Sequence, residues 1–201
     1  MPLDFRRLQF LTSAATPTGF PPDAGREVAF AGRSNAGKSS VLNALAGVAG
    51  LARVSKTPGR TRLANFFTLD VARRFVDLPG YGYAAAPATV RAGWEGLMQG
   101  YFAARRALAG LVLVMDIRQA PTGFDRQLLD WLAPRGLPVL ALLNKSDKLS
   151  RSAAQRVLER CRVQMPGAMQ LQIFSARTGT GVEAARAVLA GWLAGSHPDS
   201  G

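Results

Sequence analysis

The sequence predicts an α/β fold in three layers, in which a mostly parallel, six-stranded sheet with one antiparallel edge strand carries helices on both faces. Apolar runs of strand length alternate along the chain with longer stretches of helical periodicity, and no internal repeat is found. The 201 residues, 48% of them hydrophobic, suffice for one well-packed domain. We therefore predict a single domain at residues 27–195, with an extension at residues 1–26 and a flexible tail at residues 196–201.

The strands are predicted from apolar or alternating runs, and the helices from apolar residues at helical spacing. The predicted strands are residues 28–31, 63–71, 75–77, 111–116, 138–143 and 170–174. The second and third are expected to form a hairpin around Ala72-Arg73, which places one antiparallel strand at the edge. The predicted helices are residues 38–45, 89–108, 124–132, 152–163 and 181–193. Ser150 is the predicted N-cap of the fourth helix, and Thr178 or Thr180 that of the fifth.

A phosphate-binding loop is predicted between the first strand and the first helix. Residues 32–39 read G-R-S-N-A-G-K-S, which matches the pattern G-x-x-x-x-G-K-[ST] in the strand–loop–helix setting that the pattern requires. In such a loop, backbone N–H groups and the helix N-terminus face the phosphates. The lysine reaches the outer phosphates, and the serine hydroxyl ligates Mg²⁺. The alternative is a glycine-rich turn that binds nothing. The predicted nucleotide contacts are Gly32, Arg33, Ser34, Asn35, Ala36, Gly37, Lys38 and Ser39.

A second motif predicts which base is bound. Residues 144–147 read N-K-S-D and follow an apolar run that is typical of a strand buried on both faces. The Asp147 carboxylate can accept hydrogen bonds from N1–H and the 2-amino group of guanine, whereas adenine would leave it unpaired. Asn144 is expected to tie this loop to the phosphate loop, and the Lys145 stem to cover a face of the base. A polar loop without function becomes a remote alternative once the phosphate loop is considered. With Ser146, these residues predict a guanine nucleotide.

Two further segments follow predicted strands. Residues 77–80 read D-L-P-G, where Asp77 is expected to hold Mg²⁺ through a water and the Gly80 N–H to meet the γ-phosphate, so that loss of this phosphate releases the loop. Residues 174–176 read F-S-A, and their backbone can approach the guanine O6. All these motifs fall at the carboxyl ends of strands, where open α/β sheets bind ligands. The contacts predicted from these two segments are Asp77, Leu78, Pro79, Gly80, Phe174, Ser175 and Ala176.

The first switch of such a protein must supply a hydroxyl to Mg²⁺. The stretch S-K-T-P-G-R-T at residues 55–61 offers Thr57 and Thr61, and the pattern alone does not choose between them. Together with the phosphate loop, N-F-F at 65–67, D-L-P-G-Y-G-Y-A at 77–84 and D-I-R at 116–118, this stretch resembles the EngB (YihA/YsxC) GTPases. The resemblance implies that Thr61 is the Mg²⁺ ligand. It also implies that the following residues line the nucleotide: Gly59, Arg60, Thr61, Arg62 and Leu63.

The resemblance carries functional expectations with it. It places the chain in the TrmE-Era-EngA-YihA-Septin-like class of P-loop GTPases, with a Ras-like G domain. It implies hydrolysis of GTP to GDP as a molecular switch in ribosomal subunit assembly, with a link to cell division and septation, in the bacterial cytoplasm. The expected partners are GTP or GDP, a ribosomal subunit and rRNA, and we expect a monomer. The alternative is a nucleotide-gated RNA-binding scaffold in which hydrolysis is incidental.

Composition agrees with an RNA partner and excludes other classes. The formal net charge is +12 and the sequence pI is near 11.3, which attracts polyanions. Arg156 and Arg160 lie four residues apart and can form a basic stripe on a helix; an incidental basic surface is the alternative. The single cysteine, Cys161, excludes an internal disulfide. No apolar stretch approaches the roughly 20 residues of a membrane span. The three tryptophans are expected in the core: Trp94, Trp131 and Trp192.

The catalytic apparatus is the least defined part of the prediction. Ras-like switches orient the attacking water with a glutamine after the D-x-x-G glycine, but here that residue is Tyr81. By resemblance to GTPases with a G-R-x-N-x-G-K-S loop, the Asn35 side chain would help to hold K⁺, which stabilises developing charge. The alternative is that Asn35 only caps the loop. The predicted catalytic residues are Lys38, Thr61, Gly80 and Asn35, and the predicted Mg²⁺ ligands are Ser39, Thr61 and Asp77.

Overall fold

The computed structural model describes residues 3–52, 63–81, 88–165 and 169–195, and only the backbone of residues 88–92. The strands are β1 (Gln9–Ala14), β2 (Arg26–Gly32), β3 (Ala64–Thr68), β4 (Arg73–Asp77), β5 (Leu108–Asp116), β6 (Val139–Asn144) and β7 (Gln170–Ile173). The α-helices are α1 (Lys38–Ala46), α2 (Ala88–Ala104), α3 (Gly123–Leu132), α4 (Arg151–Gln164) and α5 (Val182–Ala194). Each predicted helix therefore has its counterpart, although the second ends at Ala104 instead of residue 108.

The strands form one sheet in the order β1-β3-β4-β2-β5-β6-β7. β2 pairs in parallel with β4 and β5, and β6 pairs in parallel with β5 and β7. β3 runs antiparallel to β4, as the predicted hairpin requires, and also antiparallel to β1. The mostly parallel sheet with an antiparallel edge is confirmed, but the prediction of six strands was one too few.

The missed strand is β1, which lies in the segment predicted as an extension. Its residues pair with β3, for example Phe10 with Phe67 and Ser13 with Asn65. The first three residues of β1 are exposed, and an irregularity between Phe10 and Thr12 interrupts the alternation of faces. A strand that lies at the edge and buries little has no clean apolar pattern, so sequence periodicity does not reveal it. The division of the chain at residue 27 stays a prediction.

Helices cover both faces of the sheet, and each face has its own apolar cluster. α2, α3 and α4 pack on one face, where strand residues such as Ala31 and Leu113 point. α1 and α5 pack on the other face against residues such as Phe30 and Val112. Successive residues of β2 and β5 thus point into opposite clusters, which explains why these central strands are apolar throughout. The tryptophans pack in or against these clusters, as predicted: Trp94, Trp131 and Trp192.

Helix starts follow from local chemistry at two places. The Ser150 side chain accepts a hydrogen bond from the Ala153 N–H at 3.3 Å and caps α4, as predicted. The predicted threonine cap of α5 was wrong, because the helix begins after Gly181, whose φ is 80° and which provides no side-chain cap. A Cβ at Gly181 would lie 2.6 Å from the Ile173 carbonyl oxygen, so only glycine fits there.

A buried ionic cluster lies at the amino ends of the parallel strands. The Glu27 carboxylate, fully buried in β2, accepts hydrogen bonds from Arg74 at 2.7 Å and from Arg105 at 2.6 Å and 2.9 Å. The Tyr101 hydroxyl donates a further bond at 3.2 Å. A buried carboxylate is tolerated only with such partners. The cluster ties β2, β4 and α2 together at the end of the sheet opposite the predicted motifs.

Candidate functional site

The phosphate loop connects β2 to α1 as the motif predicted. Asn35 and Gly37 both adopt left-handed backbone conformations, with φ of 65° and 92°. The Ala36 N–H donates to the Arg33 carbonyl at 2.9 Å, which closes the turn. A Cβ at Gly37 would lie 2.5 Å from the Asn144 side-chain nitrogen, so glycine is needed both for its φ and for this close approach. The loop ends at Gly37, directly before the N-terminus of α1, which is the positive end of a helix dipole.

The Lys38 ammonium reaches from this loop to the end of β4. Its Nζ pairs with an oxygen of the Asp77 carboxylate. The two side chains are only 11% and 6% exposed, so both charges are largely removed from water and each serves as the counter-charge of the other. Ser39 stands next in the chain, on the first turn of α1, and is half-buried. An ammonium and a carboxylate therefore pair at the carboxyl end of β4, and Ser39 follows Lys38 directly in the chain.

The D-L-P-G segment runs alongside the phosphate loop. The Leu78 N–H donates to the Phe30 carbonyl at 3.0 Å, and the Ser34 N–H donates to the Tyr81 carbonyl at 2.8 Å. Gly80 lies beside Ser34, since a Cβ on Gly80 would be 3.5 Å from that residue's backbone. The first bond ties the segment to β2, and the second ties the residue after the segment to the phosphate loop, so that Gly80 lies between two anchored residues.

Asn144 joins the predicted base loop to the phosphate loop. Its side-chain amide donates to the Ala36 carbonyl at 2.9 Å, and its side-chain oxygen accepts from the Ala176 N–H at 3.2 Å. The residue is 2% exposed. The expectation that Asn144 ties the two loops together is confirmed, and the same side chain also fixes the F-S-A segment.

Lys145 lies across the phosphate loop. Its Nζ donates to the Asn35 carbonyl at 2.6 Å and lies 3.0 Å from the Asp116 carboxylate. Asp116 ends β5 and also accepts three hydrogen bonds from Arg118, two from its side chain at 2.6 Å and 2.9 Å and one from its backbone N–H at 3.1 Å. Partial burial alone would raise the pKa of Asp116, but the bonds from Arg118 and Lys145 outweigh it and hold the pKa well below its ordinary value. Asp116 therefore stays ionised and anchors the Lys145 stem.

Asp147 presents an unused acceptor. Its Oδ1 accepts a hydrogen bond from the Ser175 hydroxyl at 2.7 Å, which lowers the pKa of the carboxyl. Its Oδ2 is buried and has no hydrogen-bond partner among the described residues. Arg177 and Lys148 approach Oδ2 to 3.6 Å and 3.8 Å, which is ion-pair distance and too long for a hydrogen bond. A buried carboxylate oxygen in this condition calls for a donor from a ligand.

Tyr81, at the position of the Ras-type glutamine, is held inside the protein. It is 2% exposed, and its hydroxyl donates to the Asp125 carboxylate. Burial, and then the Asp125 charge, raise the pKa of Tyr81 well above its usual value, so the hydroxyl stays protonated. Asp125 belongs to a capping box with Thr122 at the start of α3. The T-x-x-D spacing of that box was visible in the sequence, but its contact with Tyr81, 44 residues away, was not.

The structure brings most of the predicted residues to one edge of the sheet. The phosphate loop, the D-L-P-G segment, the N-K-S-D motif and the F-S-A segment all lie at the carboxyl ends of β2, β4, β6 and β7. Leu63 precedes β3 and is 37% exposed. The remaining residues predicted for the first switch lie outside the described residues: Thr57, Gly59, Arg60, Thr61 and Arg62.

Comparison with known proteins agrees with this geometry. The sequence model of the family described as 50S ribosome-binding GTPase matches residues 27–145. A protein described as probable GTP-binding protein EngB from Azoarcus sp. (strain BH72) is 53% identical over 197 residues, which cover 96% of this chain and 94% of that protein. One with the same description from Nitrosococcus oceani is 51% identical over 192 residues, covering 94% of this chain and 96% of that protein. The chain belongs to the EngB family of GTP-binding proteins.

Solved structures confirm the fold. A crystal structure of a probable GTP-binding protein EngB superposes with a TM-score of 0.67 at 22% identity and covers 84% of this chain and 98% of that one. Aquifex aeolicus Era bound to GDP·AlF₄⁻ superposes with a TM-score of 0.65 at 20% identity and covers 83% and 56% of the two chains. The fold is therefore that of a P-loop GTPase, and this EngB-family chain is a GTP-binding protein.

Three further observations concern the helices, the cysteine and the acidic side chains of the described part of the molecule. None of the helices described is long and apolar enough to cross a membrane. Cys161 is buried in α4, and burial raises the pKa of its thiol, as suits a packing residue. Within the same ranges, no three side chains of histidine, cysteine, aspartate or glutamate cluster as metal ligands.

Proposed function

We propose that this EngB-family protein hydrolyses GTP to GDP and phosphate as a molecular switch, and that it acts in the assembly of a ribosomal subunit. The observation that carries the nucleotide assignment is the buried Oδ2 of Asp147, which has no hydrogen-bond partner among the described residues. Guanine offers two adjacent donors, N1–H and the 2-amino group. Oδ2 accepts one of them, and the remaining lone pair of Oδ1 accepts the other.

The test of this assignment is a change of base preference. Asp147→Asn replaces one acceptor oxygen by an NH₂ group, which matches the oxygen at C2 of xanthine and mismatches the 2-amino group of guanine. We expect the variant to bind XDP better than GDP by fluorescence titration. Asp130→Asn, at an exposed position on α3, is the control and should keep the preference for GDP. An Asp147→Asn protein that still selects GDP over XDP would show that another residue reads the base.

The phosphate end of the site suits Mg²⁺ and a triphosphate. Mg²⁺ prefers oxygen ligands and usually shares them with substrate phosphates and water. Ser39 contributes a hydroxyl and Asp77 a carboxylate, and Thr61 is the further hydroxyl that the family likeness implies. When the nucleotide binds, the Lys38 ammonium leaves the Asp77 carboxylate and pairs with the phosphates. When bound by these residues, Mg²⁺ would supply positive charge to the phosphates, which Lys38 and the loop N–H groups would hold in place.

Hydrolysis in this protein does not use Tyr81 as Ras-like proteins use glutamine. The tyrosine is buried and its hydroxyl is engaged by Asp125, so it has no free amide or hydroxyl to orient water. The groups left to stabilise developing charge are Lys38, the Gly80 N–H and the first-switch threonine. Intrinsic turnover is therefore slow and depends on an added stimulus, either a ribosomal subunit or K⁺.

Asn35 is the residue proposed to help hold K⁺. Its backbone carbonyl is fixed by Lys145 at 2.6 Å, while its exposed side chain makes no hydrogen bond to any described residue. That side-chain oxygen is free to ligate a cation next to the phosphates. GTP turnover should be faster in K⁺ than in Na⁺ buffer, and Asn35→Ala should remove the difference. Equal turnover of the wild type in the two buffers would favour the loop-capping role instead.

The ribosomal part of the proposal is supported by charge and by family. The net charge of +12 favours a polyanionic partner, and the matching family model carries the description 50S ribosome-binding GTPase. We propose that the protein acts as a monomer in the bacterial cytoplasm and contributes, by family likeness, to normal cell division. A nucleotide-gated scaffold with negligible hydrolysis is the competing proposal. Turnover stimulated by ribosomal subunits favours the enzyme, whereas GTP-dependent co-sedimentation without stimulated turnover favours the scaffold.

A further inference from the structure

Two neighbouring helices carry an excess of exposed arginines. α3 connects β5 to β6 and α4 connects β6 to β7, and both pack on the same face of the sheet. Only two acids on these helices are exposed, Asp130 and Glu159. The exposed arginines are Arg126 on α3 and Arg151, Arg156, Arg160 and Arg162 on α4. We call Arg126, Arg156 and Arg160 the α3–α4 basic surface.

Most of these positive charges are uncompensated. Glu159 pairs with Arg162 at 2.8 Å, so this pair is neutral. The side chains of Arg126, Arg151 and Arg156 form no ion pair or hydrogen bond with any residue that the structure describes. Arg160 donates only to a neutral group, the Ala120 carbonyl at 3.0 Å. Because Ala120 lies in the loop that leads into α3, this contact directs the Arg160 face of α4 toward α3, and Arg156 shares that face one turn earlier.

The position of Arg151, a further exposed arginine of α4, is not explained by helix stability. Arg151 is the first residue of α4, and the first turn of this helix contains no acid. A cation there opposes the helix dipole, which favours negative charge at the N-terminus. α5 shows the ordinary arrangement, with Glu183 in its first turn paired to Arg186 at 2.7 Å. Arg151 thus carries a charge that is locally unfavourable and that no side chain in the described ranges pairs with.

The first turn of α3 adjoins Tyr81, the residue that follows the D-L-P-G segment. Phe124, at the start of α3, is 44% exposed, and its ring lies 6.2 Å from that of Tyr81. The next residue, Asp125, accepts the hydrogen bond of the Tyr81 hydroxyl. The first turn of α3, which carries both Phe124 and Arg126, is thus in direct contact with the residue that follows this segment. Proteins combine exposed aromatic rings with arginines to stack bases and bind phosphates of RNA.

We propose that the α3–α4 basic surface, together with Phe124, binds an RNA segment with unpaired bases; this inference rests on the ribosomal part of the proposed function. Arg126, Arg156 and Arg160 contact backbone phosphates, and Phe124 stacks on one base. An RNA occupant fits better than a protein because a protein interface needs an apolar core. On α3 and α4 only Phe124 and Val163 are large, apolar and exposed.

The test removes two charges that make no contact within the described protein. Arg126→Gln/Arg156→Gln is compared with Arg7→Gln/Arg106→Gln, which removes two exposed arginines at the opposite end of the sheet. The probe is a fluorescein-labelled RNA hairpin with a single-stranded loop, titrated by anisotropy over a KCl series. We expect the first variant to lose about tenfold or more in affinity, and the slope of log K against log [KCl] to fall by about 1 per arginine. The control should keep most of the wild-type affinity.

A third variant addresses the aromatic contact. Phe124→Leu keeps an apolar side chain against Tyr81 but removes the ring, so we expect about a fivefold loss of affinity with an unchanged salt slope. GDP binding, measured on every variant, separates this inference from the nucleotide assignment, because only the latter fails if the wild type binds RNA but not GDP. Equal losses of RNA affinity in the two double variants, or no loss in either, would refute the proposed RNA-binding role of the α3–α4 basic surface. Loss of ribosomal subunit binding with full RNA affinity would mean a protein partner and would also refute it.

Discussion

Removal of the Asn144 side chain should reveal how the two ends of the nucleotide site are coupled. The side chain makes two hydrogen bonds, to the Ala36 carbonyl at 2.9 Å and from the Ala176 N–H at 3.2 Å, and it is almost fully buried. At a net 0.5–1.5 kcal/mol each, the two bonds together contribute about 1–3 kcal/mol. Asn144→Ala also releases the phosphate loop from the F-S-A segment. If the whole loss appears in binding, GDP affinity falls by about 5- to 150-fold.

The chain offers a matched control for this experiment. Asn43, at the other end of α1, also bridges a backbone carbonyl and a backbone N–H, both of Ala52, at 3.0 Å and 2.7 Å. Asn43→Ala therefore removes the same kind and number of bonds away from the site. Both variants should be less stable in urea unfolding, but only Asn144→Ala should lose affinity in a titration with fluorescent GDP and Mg²⁺. Asn144→Thr keeps one hydroxyl donor, so its GDP affinity should lie between those of the wild type and Asn144→Ala.

One result would refute this reasoning. If Asn144→Ala binds GDP as tightly as the wild type while losing as much stability as Asn43→Ala, the bridge supports the fold and does not preorganise the site. Equal losses of GDP affinity in the two variants would point to general loosening of α1. Only a selective loss of affinity in Asn144→Ala supports coupling between the phosphate loop and the base loop.

Three further outcomes are expected. Lys38→Ala should abolish GTP hydrolysis in a phosphate-release assay, and intact turnover would contradict the assignment of the loop. Glu27→Gln should lower the free energy of unfolding by about 3–5 kcal/mol, because it leaves buried arginines without their counter-charge; Glu183→Gln, at an exposed ion pair, should cost at most about 1 kcal/mol. The pKa of Asp116 is lowered by folding, so its contribution to stability is present above about pH 4 and is lost as pH falls further. The stability difference between wild type and Asp116→Asn should shrink in the same range, and a pH-independent difference would contradict this.

Sequence reasoning succeeded where chemistry is carried by short, local patterns. The phosphate loop and the N-K-S-D motif each specify a turn and a set of side chains within a few residues. Parallel strands bring their carboxyl ends to one edge of a sheet, so motifs placed after strands were expected to meet. The structure has them at that edge, with Asn144 bonded to the phosphate loop 108 residues away. The central strands were equally predictable, because burial on both faces leaves a continuous apolar run.

The rest was decided by contacts between residues that are distant in the chain. β1 gains its place by pairing with β3, and its exposed, irregular pattern carried no periodic signal. From the sequence, the residue at position 81 showed only that the Ras-type glutamine is missing. The burial of Tyr81 against Asp125 depends on how α3 packs. Likewise, only the fold shows that Ser175 donates to Oδ1 of Asp147 while Oδ2 has no hydrogen-bond partner among the described residues.

By itself the amino-acid sequence determined the class of the fold, the phosphate loop and the preference for guanine, because hydrophobic periodicity and hydrogen-bonding groups act over a few residues. Tertiary structure alone decided the edge strand, the buried Glu27 cluster, the Tyr81 contact and the arginine surface beside it. These features depend on which side chains are desolvated together, and desolvation is a property of packed surfaces that no local pattern encodes.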